Sequence, residues 1–361
     1  MSGPVTRKRA RLSSDNDDAI PRDIPAQASR ELSAADSASS RTRDEDFWYS
    51  DGNIIIVARD VEFRVYKGLL ADHSAVFRDM LAFPQPPAPT SSGAGSAEDS
   101  CPVVHVSDSP EDFRHILRFY MPRDNSNPFH SGEPSFHMIS AAVRLGQKYQ
   151  ILNLFEYAVG HLKKYYTTQL DVWMTQTLTA PLGFDDVTQS IGVVNLARLT
   201  GEASLLPVAL LCCCTLDAEI ITGFEREDGT PEQLALDDIG RCFVAKGRLI
   251  RESVRIALCV FRPKVSKKCT TAAGCKPALA NMLRMLKDRV FNITTVDPFL
   301  PSYNMLTGPD VHVCRHCKAM LEARDLRERR AVWARLPEIL GIDPIAAWPS
   351  ENADGDDGGD A

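Results

Sequence analysis

The chain reads as an α+β protein, with a small sheet flanked by helices and then an all-α C-terminal region. Three observations predict this. Residues 54–57 form an unbroken apolar run, Ile54-Ile55-Ile56-Val57, long enough for a strand buried on both faces of a sheet. Val61, Phe63 and Val65 then alternate with Glu62, Arg64 and Tyr66, the period of a half-buried strand. From about residue 166 onward the apolar residues recur at i, i+3 and i+4, the helical spacing.

Residues 1–43 are rich in Ser, Ala, Asp and Arg, show no sustained apolar period, and are expected to be disordered. They include Arg7, Lys8, Arg9 and Arg11, a compact cluster that reads either as a nuclear localisation signal or as a solvated tail. Phe47-Trp48-Tyr49 leads into the first strand, and at least one of these rings is expected to close an end of the core. Arg59-Asp60 reverses the chain. Leu69 and Leu70, then Val76, Phe77, Met80 and Leu81, fall at helical spacing, with Ser74 placed to cap the second segment. A hairpin running straight into a helical pair cannot bury its own apolar faces, so it predicts the seed of a mixed core. Residues 84–100, rich in Pro, Gly, Ser and Ala, read as a mobile insertion. Val103, Val104 and Val106 predict a strand, and Ser109-Pro110-Glu111 opens a helix carrying Phe113, Ile116, Leu117 and Tyr120. Beyond a polar loop over 122–134, Ile139, Ala142 and Val143 predict one helix. Ile151, Leu154, Phe155, Ala158 and Leu162 predict another.

The ordered set Asp51, Phe63, Val65, Lys67, Leu70, Ser74 and Phe77, followed by Met80-Leu81, resembles the start of a BTB/POZ domain. The strand, helix and helix pair that follow resemble its remainder. Tyr66 stands where family members usually carry a histidine. The likeness is to fungal proteins with one N-terminal BTB domain and a helical C-terminal half. It covers residues 44–165, while Gly223, Asp228-Gly229-Thr230-Pro231-Glu232 and the segment Trp333-x2-Leu336-Pro337-x2-Leu340-Gly341 resemble the second half. The resemblance implies a BTB/POZ domain over 44–165 and a helical domain over 166–349. It also implies protein–protein interaction: homo- or hetero-oligomerisation, or service as a substrate adaptor for a cullin-type ubiquitin ligase. The alternative it implies is a nuclear transcriptional regulator that recruits co-regulators through the BTB domain. Many animal BTB domains exchange an N-terminal helix and strand between subunits; too few ordered residues precede the sheet here, so that dimer form is not expected.

In the second half, residues 170–178, 187–199, 205–221 and 231–261 are predicted helices, punctuated by Gly201, Pro207, Gly223 and Asp228-Gly229. Residues 350–361 are acidic and glycine-rich, the pattern of a solvated tail. A net charge of -7 argues against nucleic-acid recognition by a globally basic surface. The apolar run over 205–216 is too short to cross a bilayer. No charged-then-apolar leader opens the sequence, so a nuclear or cytoplasmic protein is expected, with its ten cysteines reduced or bound to metal.

Cys314-x2-Cys317 has the spacing of a zinc knuckle, and Cys269-x5-Cys275 could supply a second pair across a helix over 276–291. Four thiolates would make a closed, structural zinc site, with His312 or His316 able to replace one of them. The competing reading is that these are ordinary core thiols, since the first spacing is wider than usual. Cys212-Cys213-Cys214 cannot converge on one ion, because consecutive helical residues point in different directions; they read as small apolar residues of a buried helix. Cys101, Cys242 and Cys259 are assigned no role. No nucleophile elbow, phosphate loop or metalloprotease motif occurs, and no catalytic residue is assigned; the third alternative, an enzyme of unknown reaction in the helical domain, would need a convergent polar pocket that the sequence does not display. Arg315, Lys318, Arg324, Arg327, Arg329, Arg330 and Arg335 are interleaved with Glu322, Asp325 and Glu328. That pattern predicts a solvated helix face with i, i+3 and i+4 pairing.

Overall fold

The structure is a computed structural model, and it describes residues 41–83, 101–121, 133–176, 180–181, 183–300 and 312–349. The basic cluster from Arg7 to Arg11, the insertion over 84–100, most of the loop over 122–134 and the acidic tail lie outside the described residues.

The fold is mixed α+β and mostly helical, with one four-stranded sheet. Strands β2 (Ile54–Ala58) and β3 (Val61–Val65) form the antiparallel hairpin that the alternation predicts, with Ala58 opposite Val61 across the two-residue turn. Arg59 takes left-handed backbone there, at φ 52°. Ile54, Ile56, Phe63 and Val65 are completely buried, so the hairpin lays a continuous apolar face on the helices. Helix α1 (Lys67–His73) breaks at Ser74 and α2 (Ala75–Ala82) resumes, the Ser74 hydroxyl accepting from the Phe77 amide. Strand β4 (Val103–Val106) joins β2 in parallel. Helix α3 (Pro110–Tyr120) starts behind a Ser109 cap. Helices α4 (Phe136–Lys148) and α5 (Leu152–Tyr165) pack as a pair through a tight turn at Gln150.

The sheet holds one strand more than the sequence predicts. Thr42–Trp48, here β1, runs parallel to β3 and puts the strand order at β1-β3-β2-β4. Its register shifts between Arg43 and Trp48, so its buried residues are Asp44 and Phe47, three apart rather than two. That irregularity erases the alternation by which a strand is recognised. Phe47 does close the core, while Trp48 and Tyr49 are half-buried.

The second half is built from α6 (Leu170–Thr175), α7 (Ser190–Thr200), α8 (Leu206–Thr215), α9 (Glu219–Thr222), α10 (Leu236–Val260), α11 (Ala272–Met285), α12 (Val290–Ile293), α13 (Arg315–Ala334) and α14 (Leu336–Leu340). Several predicted helices are shorter than their apolar pattern. Residues 205–221 divide into α8 and α9, because the backbone becomes extended at Leu216. The helix expected over 276–291 begins four residues earlier and breaks into a 3-10 turn at Leu286–Arg289 before α12. The all-α expectation also needs correction. β5 (Phe224–Glu225) and β6 (Pro231–Glu232) pair as a small antiparallel ribbon, and α10 begins only at Leu236. Two-residue strands are too short to show a period.

The ribbon fastens the two halves. Arg226 pairs with Asp112 at 2.6 Å, Arg144 with Glu232 at 2.7 Å, and Arg59 with Asp228 at 2.7 Å; within the second half, Asn195 of α7 also donates to Glu232 at 3.0 Å. One apolar core runs from Phe47 in the sheet to Trp348 beyond the last helix.

Candidate metal centre

Four cysteines from three places in the chain meet at one end of the helical half. Cys269 lies in a turn closed by its own amide on the Ser266 carbonyl at 2.9 Å. Cys275 sits on the first turn of α11. Cys314 is the N-cap residue of α13, and Cys317 lies on that helix's first turn. Their four sulfurs lie within 4.8 Å of one another, and the Cys269 and Cys314 sulfurs are 3.8 Å apart. Tetrahedral zinc with Zn–S bonds of about 2.3 Å sets its sulfurs roughly 3.8 Å apart. The four cysteines are free rather than disulfide-bonded and could hold a metal such as zinc.

Backbone around the cluster is arranged for negative charge. The Cys314 amide donates to the Cys275 sulfur at 3.2 Å. Thr271 backbone hydrogen-bonds Cys269, and Ser266 backbone hydrogen-bonds Cys317. Backbone hydrogen bonds from Thr270 and Cys317 draw the Cys314 thiol down to about 5, while burial pushes Cys317 up to about 12. Three of the four sulfurs belong to the first turn or cap of a helix, where unsatisfied N–H groups and the helix dipole favour thiolate. His312 is exposed and His316 stands outside the four-sulfur cluster, so neither replaces a thiolate in this geometry.

The other cysteines are apart from the cluster. Cys212, Cys213 and Cys214 are buried along α8, and the Cys214 sulfur faces the Cys242 carbonyl at 3.8 Å. Burial pushes the Cys212 thiol up to about 12 and raises Cys213 well above its ordinary range. Cys101 and Cys259 are half-buried.

Residues carrying the BTB/POZ resemblance lie in the hairpin, the turn that precedes it and the first two helices. Phe63, Val65, Leu70 and Phe77 are core. Asp51 accepts from the Tyr66 hydroxyl at 2.8 Å, and the Lys67 amide donates to Asn53 at 2.7 Å. Ser74 is buried and donates to the Tyr149 carbonyl at 2.6 Å.

Comparison with family models, curated proteins and solved structures found no match for the chain.

Among the described residues no helix is long and apolar enough to cross a membrane. An open cleft of about 450 Å³ runs between the ribbon and the sheet, lined by Arg59, Asp108, Arg144, Lys148, Arg226 and Asp228 among others. Each of its cations faces a carboxylate: Arg59 faces Asp228, Arg144 faces Glu232, Lys148 faces Asp108 and Arg226 faces Asp112. Three of these pairs cross between the two halves and Lys148–Asp108 lies within the first, so the cleft is lined by a seam that sequence reading missed. Their partners lie 40 to 169 residues apart, so no local pattern announces them. Arg329 on α13 was expected on a solvated face; it is buried, paired with Asp325 at 2.8 Å and bonded to the Pro298 carbonyl. The i, i+4 spacing of the pair was legible, but the burial of Arg329 was not, since its second partner, the Pro298 carbonyl, lies 31 residues away.

Proposed function

We propose that the chain is a non-catalytic protein–protein interaction module of the BTB/POZ kind, its helical half stapled by a structural zinc ion on Cys269, Cys275, Cys314 and Cys317. The observation that carries the interaction reading is the order of elements over residues 42–165. A hairpin runs into a helical pair, then a strand returns beside the hairpin, and one helix and a helix pair follow. This is the order along which the residue resemblance runs, and it supports the interaction reading. Oligomerisation or recruitment of a larger assembly is the biochemical event proposed, with a cullin-type ligase as the assembly and a client held by the helical half. A nuclear regulator is the second reading, favoured by the basic cluster from Arg7 to Arg11. For the zinc, the support is an all-sulfur ligand set with backbone donors around it. Its chemistry there is to tie the starts of α11 and α13 together.

Affinity purification from native cells with mass spectrometry tests the interaction reading. A cullin among the partners supports the adaptor, chromatin factors support the regulator, and recovery of neither sinks both. Elemental analysis of the purified chain tests the metal: one zinc per chain is expected, lost in Cys314→Ser and Cys317→Ser.

A further inference from the structure

We propose that the outward face of α10 is a self-association surface, occupied by the same face of a second copy of this chain running antiparallel to it. The inward face of the helix buries Cys242, Ala245, Leu249 and Ile256 in the core. The outward face carries Leu236, Phe243 and Val244, exposed at 84%, 60% and 56%. Three large apolar side chains on one stretch of exposed helix are out of place on a surface that faces only water.

Two glycines share this stretch, Gly240 between Leu236 and Phe243 and Gly247 just past Val244. Leu236, Gly240, Phe243 and Gly247 follow one another at spacings of four, three and four, which is the seam of a heptad. A glycine inside a helix costs about 1 kcal/mol relative to alanine. Neither glycine is required by the fold, because a Cβ on Gly240 or on Gly247 would meet nothing within 4 Å. Helical backbone is left bare on the outside, where another helix can approach closely.

Charge selects the occupant and its direction. Most of the charged residues of α10 are engaged within the chain: Asp238 by Arg198 and Arg241, Lys246 by the Leu216 carbonyl, Arg248 by the last helix, and Glu252 by Arg255. Asp237 and Arg251 flank the apolar stretch, are exposed, and make no side-chain ion pair or hydrogen bond in the described structure. Val244 lies midway between them in sequence, and the midpoint of Gly240 and Gly247 falls between Phe243 and Val244. A two-fold axis passing beside these two residues therefore sets Asp237 of each copy against Arg251 of the other. The same axis sets each Phe243 beside Phe243 and Val244 of the opposite copy, with Gly240 of each facing Gly247 of the other so that the backbones can approach. A parallel pair would instead put like charges side by side, and the helix dipoles also favour the antiparallel arrangement. The contact spans about four turns, so it belongs to the small, reversible class of interfaces. It lies on the helical half and does not rest on the reading of residues 44–165.

The test is sedimentation velocity of the full chain between ~1 and ~100 µM, a range that spans reversible micromolar association. The expected result is a mass rising toward twice the 39.9 kDa of one chain. Phe243→Glu, at an exposed position, should keep the wild-type melting curve and weaken association at least tenfold, roughly the loss of one central anchor. Asp237→Arg and Arg251→Asp should each be monomeric alone and should form a heterodimer when mixed. Three results would each overturn the proposal. They are a wild-type chain that stays monomeric throughout, a dimer that survives Phe243→Glu, and charge variants that fail to combine.

Discussion

One hydroxyl does two jobs at Ser74. It accepts from the Phe77 amide to begin α2 and donates to the Tyr149 carbonyl, joining α2 to the end of α4. Losing a cap and leaving a buried carbonyl unsatisfied are separate costs, so Ser74→Ala should lower stability by about 2–3 kcal/mol in urea titrations. The capping half of this role was legible from position alone; the bond to Tyr149 joins residues 75 apart and was not. Asp297 is the opposite kind of residue, with no signal in its neighbours. Burial raises its carboxyl to about 6, although the Phe299 amide and Arg329 pull the other way. A raised carboxyl binds its proton more tightly folded than unfolded. Its contribution to stability is therefore greatest below the unfolded value and declines as pH rises from about 4 to about 6. Asp297→Asn keeps an acceptor for the Phe299 amide and removes the charge. It should flatten that decline and stabilise the chain at pH 7 by on the order of 2 kcal/mol, measured by denaturant titration at pH 4 and pH 7.

Among the elements, those with several turns of consistent spacing were legible. Helices α3, α4, α5 and α10 each repeat their apolar positions often enough to override local noise, while β2 is an unbroken apolar run and β3 alternates cleanly. What escaped was short or irregular: β1 with its shifted register, and the β5–β6 ribbon. The ribbon depends on Gly223, which leaves α9 at φ 71° with its backbone so close to Glu232 that a Cβ would stand 2.0 Å from that carbonyl oxygen. Gly223→Ala should therefore cost about 3 kcal/mol or more, combining a disallowed backbone with a clash. Gly201→Ala is the control, since it shares a positive φ but meets no neighbour within 4 Å, and it should cost less in the same denaturant titration.

For the whole molecule, the candidate site was half legible. Cys314-x2-Cys317 declares itself by spacing, but its partnership with Cys269 and Cys275 depends on the fold bringing the start of α11 and the turn before it to the start of α13, across about 40 residues of chain. If zinc ties those helix starts, removing it with a strong chelator should lower the thermal midpoint and speed hydrogen exchange in α11 and the first turns of α13. The β2–β3 hairpin, with Ile54, Ile56, Phe63 and Val65 completely buried, should keep its protection. Uniform exchange across both regions, or no change at all, would argue that the sulfurs pack without an ion.

The sealed thiols of α8 give the molecule a built-in clock. Cys212, Cys213 and Cys214 are shut away from solvent, and Cys212 and Cys213 are held protonated by burial, so an alkylating reagent reaches them only when that helix opens. Counting labelled cysteines against time, by intact mass, would read the opening of the central helical layer separately from events at either end of the chain.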